Sequence, residues 1–348
     1  MDQKSSLVAG AEIGAPFTAS DSWSARLSFD RPVSRHSVHR ASMAEVFVSD
    51  AFPINESHCV VAAQWPRDHV LYSPGASGQT DALLFAETFR QTMVFLAHEF
   101  HGVPLTHHFV GRRLEFEITD PRPLTVGPAP LAVVLDTRWS STGGRPPGRY
   151  EFRVDARLLV ADVCAGRAAL DVIALDARRY SMLRHRPAGT PAPVPAAVPV
   201  PAPAVGRQRA RDSVLRHGPE PGQWWLAADP AHAVLFDHPT DHLPLMVLAE
   251  GFRQLGYLLQ QSGPSTTPAL SAMTIDCHAF AELDEPVGLT VRAHESTEST
   301  PGHRLRVDAA QGGRPVAGCD MRWRSVSAVV SGAEHRPRFA MSAAGHRD

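Results

Sequence analysis

Two stretches of the chain place apolar residues on nearly every side of a 3.6-residue period, DALLFAETFRQTMVFLAHEF at 81–100 and LPLMVLAEGFRQLGYLLQQ at 243–261. Such a helix has no face to give to water, so each stretch predicts a buried helix of about 18 residues rather than a surface one. After each come short runs of alternating and β-branched residues, broken by glycine, proline or charged turns, which is the pattern of strands. In the first half they lie near HHFVGRRLEFEI, PLAVVLDTRW, YEFRVDARLLVAD and ALDVIALDARRY, with AEVFVSD and HCVVAAQW ahead of the helix. In the second they lie near SAMTIDCHAF, VGLTVRAHEST, HRLRVDAAQ and RPVAGCDMRWRSV.

The two helices share more than hydrophobicity. Ala86-Glu87-x-Phe89-Arg90-Gln91 aligns with Ala249-Glu250-x-Phe252-Arg253-Gln254, 163 residues further on, and both approaches carry a histidine (His69, His232) and an aromatic (Tyr72, Phe236). Between the halves, residues 186–206 alternate proline with alanine and valine. That segment lacks the backbone donors of a helix or central strand, and predicts an extended polyproline II tether of about 3.1 Å per residue. One buried helix with about four antiparallel strands behind it, twice over, describes an α+β tandem hotdog, each half a sheet wrapped around a central helix. The expected division is a tail at 1–36, a first domain at 37–185, a linker at 186–206, a second domain at 207–328 and a tail at 329–348.

Composition narrows the chemistry. A length of 348 residues suits two domains, and 34 Lys+Arg against 36 Asp+Glu leave a charge of −2, with no field to draw nucleic acid or an anionic membrane. All basic residues but Lys4 are arginine, so Schiff-base or pyridoxal chemistry, which needs a desolvated lysine amine, is not expected. Cys59, Cys164, Cys277 and Cys319 form no CxxC pair, which points away from a zinc ribbon or a disulfide framework and towards reduced, mostly buried thiols. No metal or cofactor is expected. Without a secretory apolar region or an 18-residue apolar run, the reading is a cytoplasmic protein with no membrane partner.

Glu87, Arg90 and Gln91 fall at i, i+3 and i+4 on one helix face, and Glu250, Arg253 and Gln254 do the same. An exposed pair of this kind contributes about 0.3–0.5 kcal/mol, whereas burial adds a desolvation cost that a plain structural helix avoids. The stripe is therefore a candidate site, the alternative being an ion pair that satisfies itself. The second half adds His238, Asp241 and His242 where a loop meets the start of the helix. Free amides there could polarise a carbonyl, and a neutral histidine is the natural base near pH 7. His238 and His242 also have the spacing of a metal pair, but Pro239 and Pro244 mark a loop and no third ligand stands nearby. The first half carries SPGASGQTD in that place, so the two sites are expected to differ. His98, His101, His107 and His108 are read as surface or satisfied core residues.

The motifs VHRASMAEVFVSD, AQWPRDHVLY, LLFAETFRQ with LAHEFHGVP and HHFV, and LFDHPTDHLPLMVLAEGFRQ resemble the A-factor biosynthesis hotdog family (AfsA type), over roughly residues 38–180 and 220–326. The resemblance implies an acyltransferase that moves a β-ketoacyl group from acyl carrier protein to the hydroxyl of dihydroxyacetone phosphate, towards γ-butyrolactone, butenolide or furan autoregulators, as a monomer or homodimer. Glu87 and Arg90 match its first motif, Glu250 and Arg253 its second. Leu245 and Gly251 depart from its usual glycine and alanine. The chemistry then expected has His238 or His242 taking the hydroxyl proton, oriented by Asp241 or Glu250, with Glu87 the counterpart in the first half. Arg253 or Arg90 would hold the phosphate, and Gln254, Gln91, His69 and His232 would line the substrate. Arg112, Arg113, Arg207, Arg209, Arg211 and Arg216 are read as a solvated basic surface, the alternative being a dock for an acidic carrier. The rival functions are a thioesterase or dehydratase on carrier-bound chains, and an acyl-binding regulator without catalysis.

Overall fold

A computed structural model describes residues 26–75, 77–184, 197–260, 266–297 and 302–327; most of both expected tails lies outside the described residues. The first half contributes strands β1 (Val48–Asn55), β2 (His58–Trp65), β3 (His108–Ile118), β4 (Leu131–Arg145), β5 (Arg149–Val160) and β6 (Val163–Leu175), with helices α1 (Ala82–Glu99) and α2 (Ala177–Leu183). The second contributes β7 (Leu215–His217), β8 (Trp224–Leu226), α3 (Leu245–Leu259), β9 (Thr266–Cys277), β10 (Val287–Thr297), β11 (Gly302–Gln311) and β12 (Arg314–Ser327). The short α2, β7 and β8 carry too little periodicity to be read from the sequence.

These strands form one sheet in the order β1-β2-β4-β5-β6-β3-β9-β12-β11-β10-β8-β7. Outward from the β3–β9 seam, where Arg113–Glu117 pair antiparallel with Asp276–Ala272, the two halves run through equivalent strands in the same order. This is the tandem hotdog. Helix α1 packs on β1, β2, β3, β5 and β6, α3 packs on β7, β8 and β9, and the helices touch each other. Phe85 and Phe89 of α1 and Phe252 and Leu255 of α3 are fully buried in one continuous core. Truncating either Phe89 or Phe252 to alanine would cost about 3–5 kcal/mol.

Gly251, expected from its helix position to weaken α3 by up to about 1 kcal/mol, has a packing reason. A Cβ there would lie 2.8 Å from Leu226 Cδ1, so the glycine lets β8 approach the helix. Of the proline-rich segment, residues 186–196 lie outside the described residues. The remainder is no free tether. Val200 N–H donates to Leu215 O (3.0 Å), Pro199 bridges Arg216, and Val200, Ala202 and Val205 are buried. Extended geometry stops where apolar side chains reach the core. Cys59 and Cys319 are buried free thiols, Cys277 is half-buried and Cys164 is exposed.

Candidate functional site

The helix stripe is built into a polar frame that occurs twice. In the first half, Glu87 accepts from Arg40 Nε (3.1 Å), Arg90 Nε (3.0 Å) and Gln91 Nε2 (2.7 Å). Gln91 also accepts from Phe47 N–H and donates to Glu45 O, while Arg90 Nη2 reaches Val38 O. In the second, Glu250 accepts from Arg207 Nε (2.7 Å), Arg253 Nε (3.0 Å) and Gln254 Nε2 (2.6 Å). Gln254 accepts from Val214 N–H and donates to Asp212 O, while Arg253 Nη2 reaches Val205 O. Burial alone would raise the pKa of each glutamate. The flanking guanidiniums, Arg40 with Arg90 and Arg207 with Arg253, outweigh it and bring both down to about 2. Each carboxylate is thus a fixed anion that pins one arginine against the helix.

What stands around the two pinned arginines differs. The loop that leads into α3 lies over Arg40 and Arg90: Asp237 accepts from Ala41 N–H and Ser42 N–H (2.6 and 3.0 Å), and the charges of Arg90 and Arg40 act on His238. His39 and His98 complete this first-half site, their Nε2 atoms 2.9 Å apart. Burial, then His98, Arg90 and His238, hold the His39 pKa down to about 3. Helix α3 follows this loop behind Pro244, which offers no capping side chain, and its Leu245 packs on Gly111 of β3. The loop that leads into α1 lies over Arg253 and encloses a cavity of about 250 Å³, with Tyr257, Leu270 and Trp323 in its wall. No histidine is among the cavity's described lining residues. Here the helix start is capped, because Asp81 accepts from Leu83 N–H and is itself held by Arg207 Nη1 (2.7 Å).

The chain matches the A-factor biosynthesis hotdog domain (AfsA) over residues 23–176 and 189–327. It is 33% identical to a 2-oxo-3-(phosphooxy)propyl 3-oxoalkanoate synthase of Streptomyces virginiae over 82% of this chain and 96% of that one. Synthases of the same name from Streptomyces griseus and Streptomyces coelicolor are each 30% identical, over 82% and 78% of this chain and 93% and 88% of theirs. The chain belongs to the A-factor biosynthesis hotdog family. Among solved structures, an acyl-ACP thioesterase from Bacteroides thetaiotaomicron has a TM-score of 0.45 at 11% identity, covering 76% of this chain and 98% of that one.

Within this family fold, several sequence expectations change. Glu250 and Glu87 are fully buried and saturated by donors, so neither is placed to exchange a proton with a reactant. His69 and His232 are taken up by their own loops. Each is buried, accepts two loop N–H groups on Nδ1 (Leu71 and Tyr72; Val234 and Leu235), and turns Nε2 to Glu45 or Asp212. Gln91 and Gln254 are spent on backbone groups of the frame. The loop holding His238, Asp241 and His242 does not gather them. His238 stands on the Arg90 side, whereas Asp241 and His242 are brought together (Nδ1 to Oδ1 2.7 Å) and tied to α2 by Tyr180 Oη (2.7 Å) and Arg184 Nε (3.0 Å). Burial lowers the His242 pKa against the pull of Asp241. Leu245 seats α3 on β3, its Cδ2 3.1 Å from where a Cβ on Gly111 would be.

The arginines assigned to the surface also divide. Arg207 is buried in the second frame, and Arg113 bridges the seam to Asp276 at 2.6 Å. Arg40, Glu45, Asp212 and His39 were not legible as site residues. The signal that could find the first three is V-x-R-x4-E/D, present at Val38-Arg40-Glu45 and again, 167 residues on, at Val205-Arg207-Asp212.

Proposed function

We propose that this chain transfers a 3-oxoacyl group from a carrier-bound thioester to the free hydroxyl of dihydroxyacetone phosphate, giving the ester after which its Streptomyces relatives are named. The observation that carries this reading is a likeness running over 88–96% of the length of synthases of one name from three species. The first-half site suits the chemistry. Arg90, pinned on one edge by Glu87, is a rigid cation for a phosphate. The uncapped first turn of α3 supplies amides for the developing oxyanion, and imidazoles stand beside both. The cavity over Arg253, with an apolar wall and no imidazole, suits the acyl portion rather than the proton transfers. No described helix is long and apolar enough to cross a membrane, and an acyl carrier protein would deliver the thioester from solution.

The test is incubation of purified protein with a 3-oxoacyl carrier-protein or N-acetylcysteamine thioester, with and without dihydroxyacetone phosphate, read by mass spectrometry. A phosphorylated ester, or its cyclised butenolide, formed only with the acceptor is the expected result. Free 3-oxo acid irrespective of acceptor would make the chain a thioesterase, and unchanged thioester across several chain lengths would make it a binding protein.

A further inference from the structure

We propose that His39, backed by His98, is the general base of the transfer, accepting the hydroxyl proton on Nδ1. This deepens the acyl-transfer reading and rests on it.

The first support is backbone. His39 ends the 3-10 turn Arg35–Val38 in the left-handed region, at φ 51° and ψ 57°. The second half makes the same turn at Ala202–Val205 and ends it with Gly206 at φ 68°. In both, the next residue is the arginine of the frame, Arg40 or Arg207. Glycine takes this conformation freely, whereas a residue with a Cβ is strained in it, and such strain gathers where a side chain is needed. The second half has no room for an imidazole. A Cβ on Gly206 would come within 2.7 Å of Tyr257 Cε2, while the first half has Val94 in the place of Tyr257.

The second support is the proton pattern. His98 Nδ1 lies 2.7 Å from Val103 O, and a carbonyl oxygen only accepts, so His98 carries its hydrogen on Nδ1. Its Nε2 is then a lone pair, and His39 Nε2–H donates to it across 2.9 Å. The lone pair of His39 is left on Nδ1, its tautomer set by a second histidine. Phe109 holds both rings edge-on, at 5.3 Å from His39 and 5.2 Å from His98.

The third support is the electrostatic setting. The charged and titratable groups acting on His39 are His98 and Arg90 of α1, His238 of the loop before α3, and His108 of β3. All favour a neutral ring. A phosphate dianion on Arg90 offsets the one arginine charge among them, so the substrate's own phosphate raises the basicity of the imidazole beside it, against the burial that lowers it most. The rival imidazole, His242, is set instead by burial and by Asp241, Arg184 and Glu282. In the step itself, the substrate hydroxyl oxygen bonds to the thioester carbonyl carbon as its proton passes to His39 Nδ1. The tetrahedral adduct then breaks its C–S bond, and the imidazolium returns the proton to the departing sulfur. Ester and free thiol leave, and His39 is neutral again.

The test uses the full chain with a 3-oxoacyl N-acetylcysteamine thioester and dihydroxyacetone phosphate. His39→Gly keeps the left-handed turn and opens space for added imidazole. It is expected to lose about 10²–10⁴-fold in kcat with a near wild-type unfolding midpoint, and to regain about tenfold with imidazole. His39→Gln is expected to lose as much without rescue. His98 is a positioning residue, and in 15N spectra of histidine-labelled protein it shows the Nδ1–H form while His39 shows Nε2–H; His98→Ala removes that bias at His39. Unchanged kcat in His39→Gly, the opposite tautomers, or a loss confined to His242→Gln overturns the assignment. Wild-type protein that acylates no acceptor overturns the transfer reading itself, which a silent His39→Gly in an active background does not.

Discussion

Arg90 and Arg253 are held by the same frame of glutamate, glutamine, second arginine and backbone carbonyl, yet they stand in unlike surroundings. Beside Arg90 are His39 and His238, with a helix start that Pro244 leaves uncapped. Beside Arg253 are Gly206 and Tyr257, with a helix start capped by Asp81 and tied down by Arg207. What the halves share is therefore what seats a polar helix face inside a sheet, and what they do not share is the set of groups able to move protons. The Glu-x-x-Arg-Gln stripe is common to both halves; the groups that set the two apart stand outside it. A buried glutamate between two guanidiniums is costly to place, and its return is a guanidinium that cannot swing.

The largest expected effect comes from unequal use of the second arginine. Arg207 serves Glu250, Asp81 and Leu71 O, whereas Arg40 serves Glu87 and lies 3.9 Å from Asp237. Arg207→Ala leaves the buried Glu250 and the part-buried Asp81 each short of a partner and is expected to destabilise the chain by about 3–5 kcal/mol. Arg40→Ala is expected to cost about 1–2 kcal/mol less, because Glu87 keeps Arg90 and Asp237 keeps two amides. Urea unfolding of the pair measures the difference. Equal losses would mean that the halves are not bridged through Arg207 and Asp81.

A smaller effect separates the two pinned cations. Arg90→Gln is expected to raise KM for dihydroxyacetone phosphate by about 10–100-fold, the worth of about 1.5–3 kcal/mol for a charged hydrogen bond. Arg253→Gln should shift that KM less than about threefold, although both variants lose the same intrahelical partner. Steady-state kinetics with varied acceptor decides it, and a reversed order would move the phosphate to the second half.

Helices, strands and their duplication are legible because burial imposes periodicity: 81–100 holds α1 and 243–261 holds α3. The frame is half legible. Glu87, Arg90 and Gln91 stand at helical spacing, but Arg40 and Arg207 look like surface in a chain whose basic residues are nearly all arginine. Their repeat also runs at 167 residues rather than 163, since the segments from Glu45 to His69 and from Asp212 to His232, which hold the strand pairs β1–β2 and β7–β8, differ in length by four, and an alignment anchored on the helices slides past it. His238 and His242 look like one cluster because they are neighbours in sequence, yet they serve different neighbours in the fold. His39 is hardest to see. One letter does not carry a backbone angle, and its left-handed turn becomes informative only beside Gly206.

That last pairing predicts the smallest effect and tests the equivalence most directly. If Tyr257 fills in the second half the space that His39 fills in the first, then Gly206→His meets two penalties: a left-handed backbone, worth about 1–2 kcal/mol, and overlap with the ring. In a Tyr257→Val background the overlap is gone and only the backbone penalty remains, so the same substitution should cost about 1 kcal/mol less there. Four urea curves complete the cycle. The double variant also stands an imidazole beside Arg253 as His39 stands beside Arg90, yet it should add no measurable transfer in a His39→Gly chain, because Asp81 still caps the start of α1. An equal cost of Gly206→His in both backgrounds would separate the two places, and transfer recovered by the double variant would show that an imidazole beside a pinned arginine is sufficient without the uncapped helix.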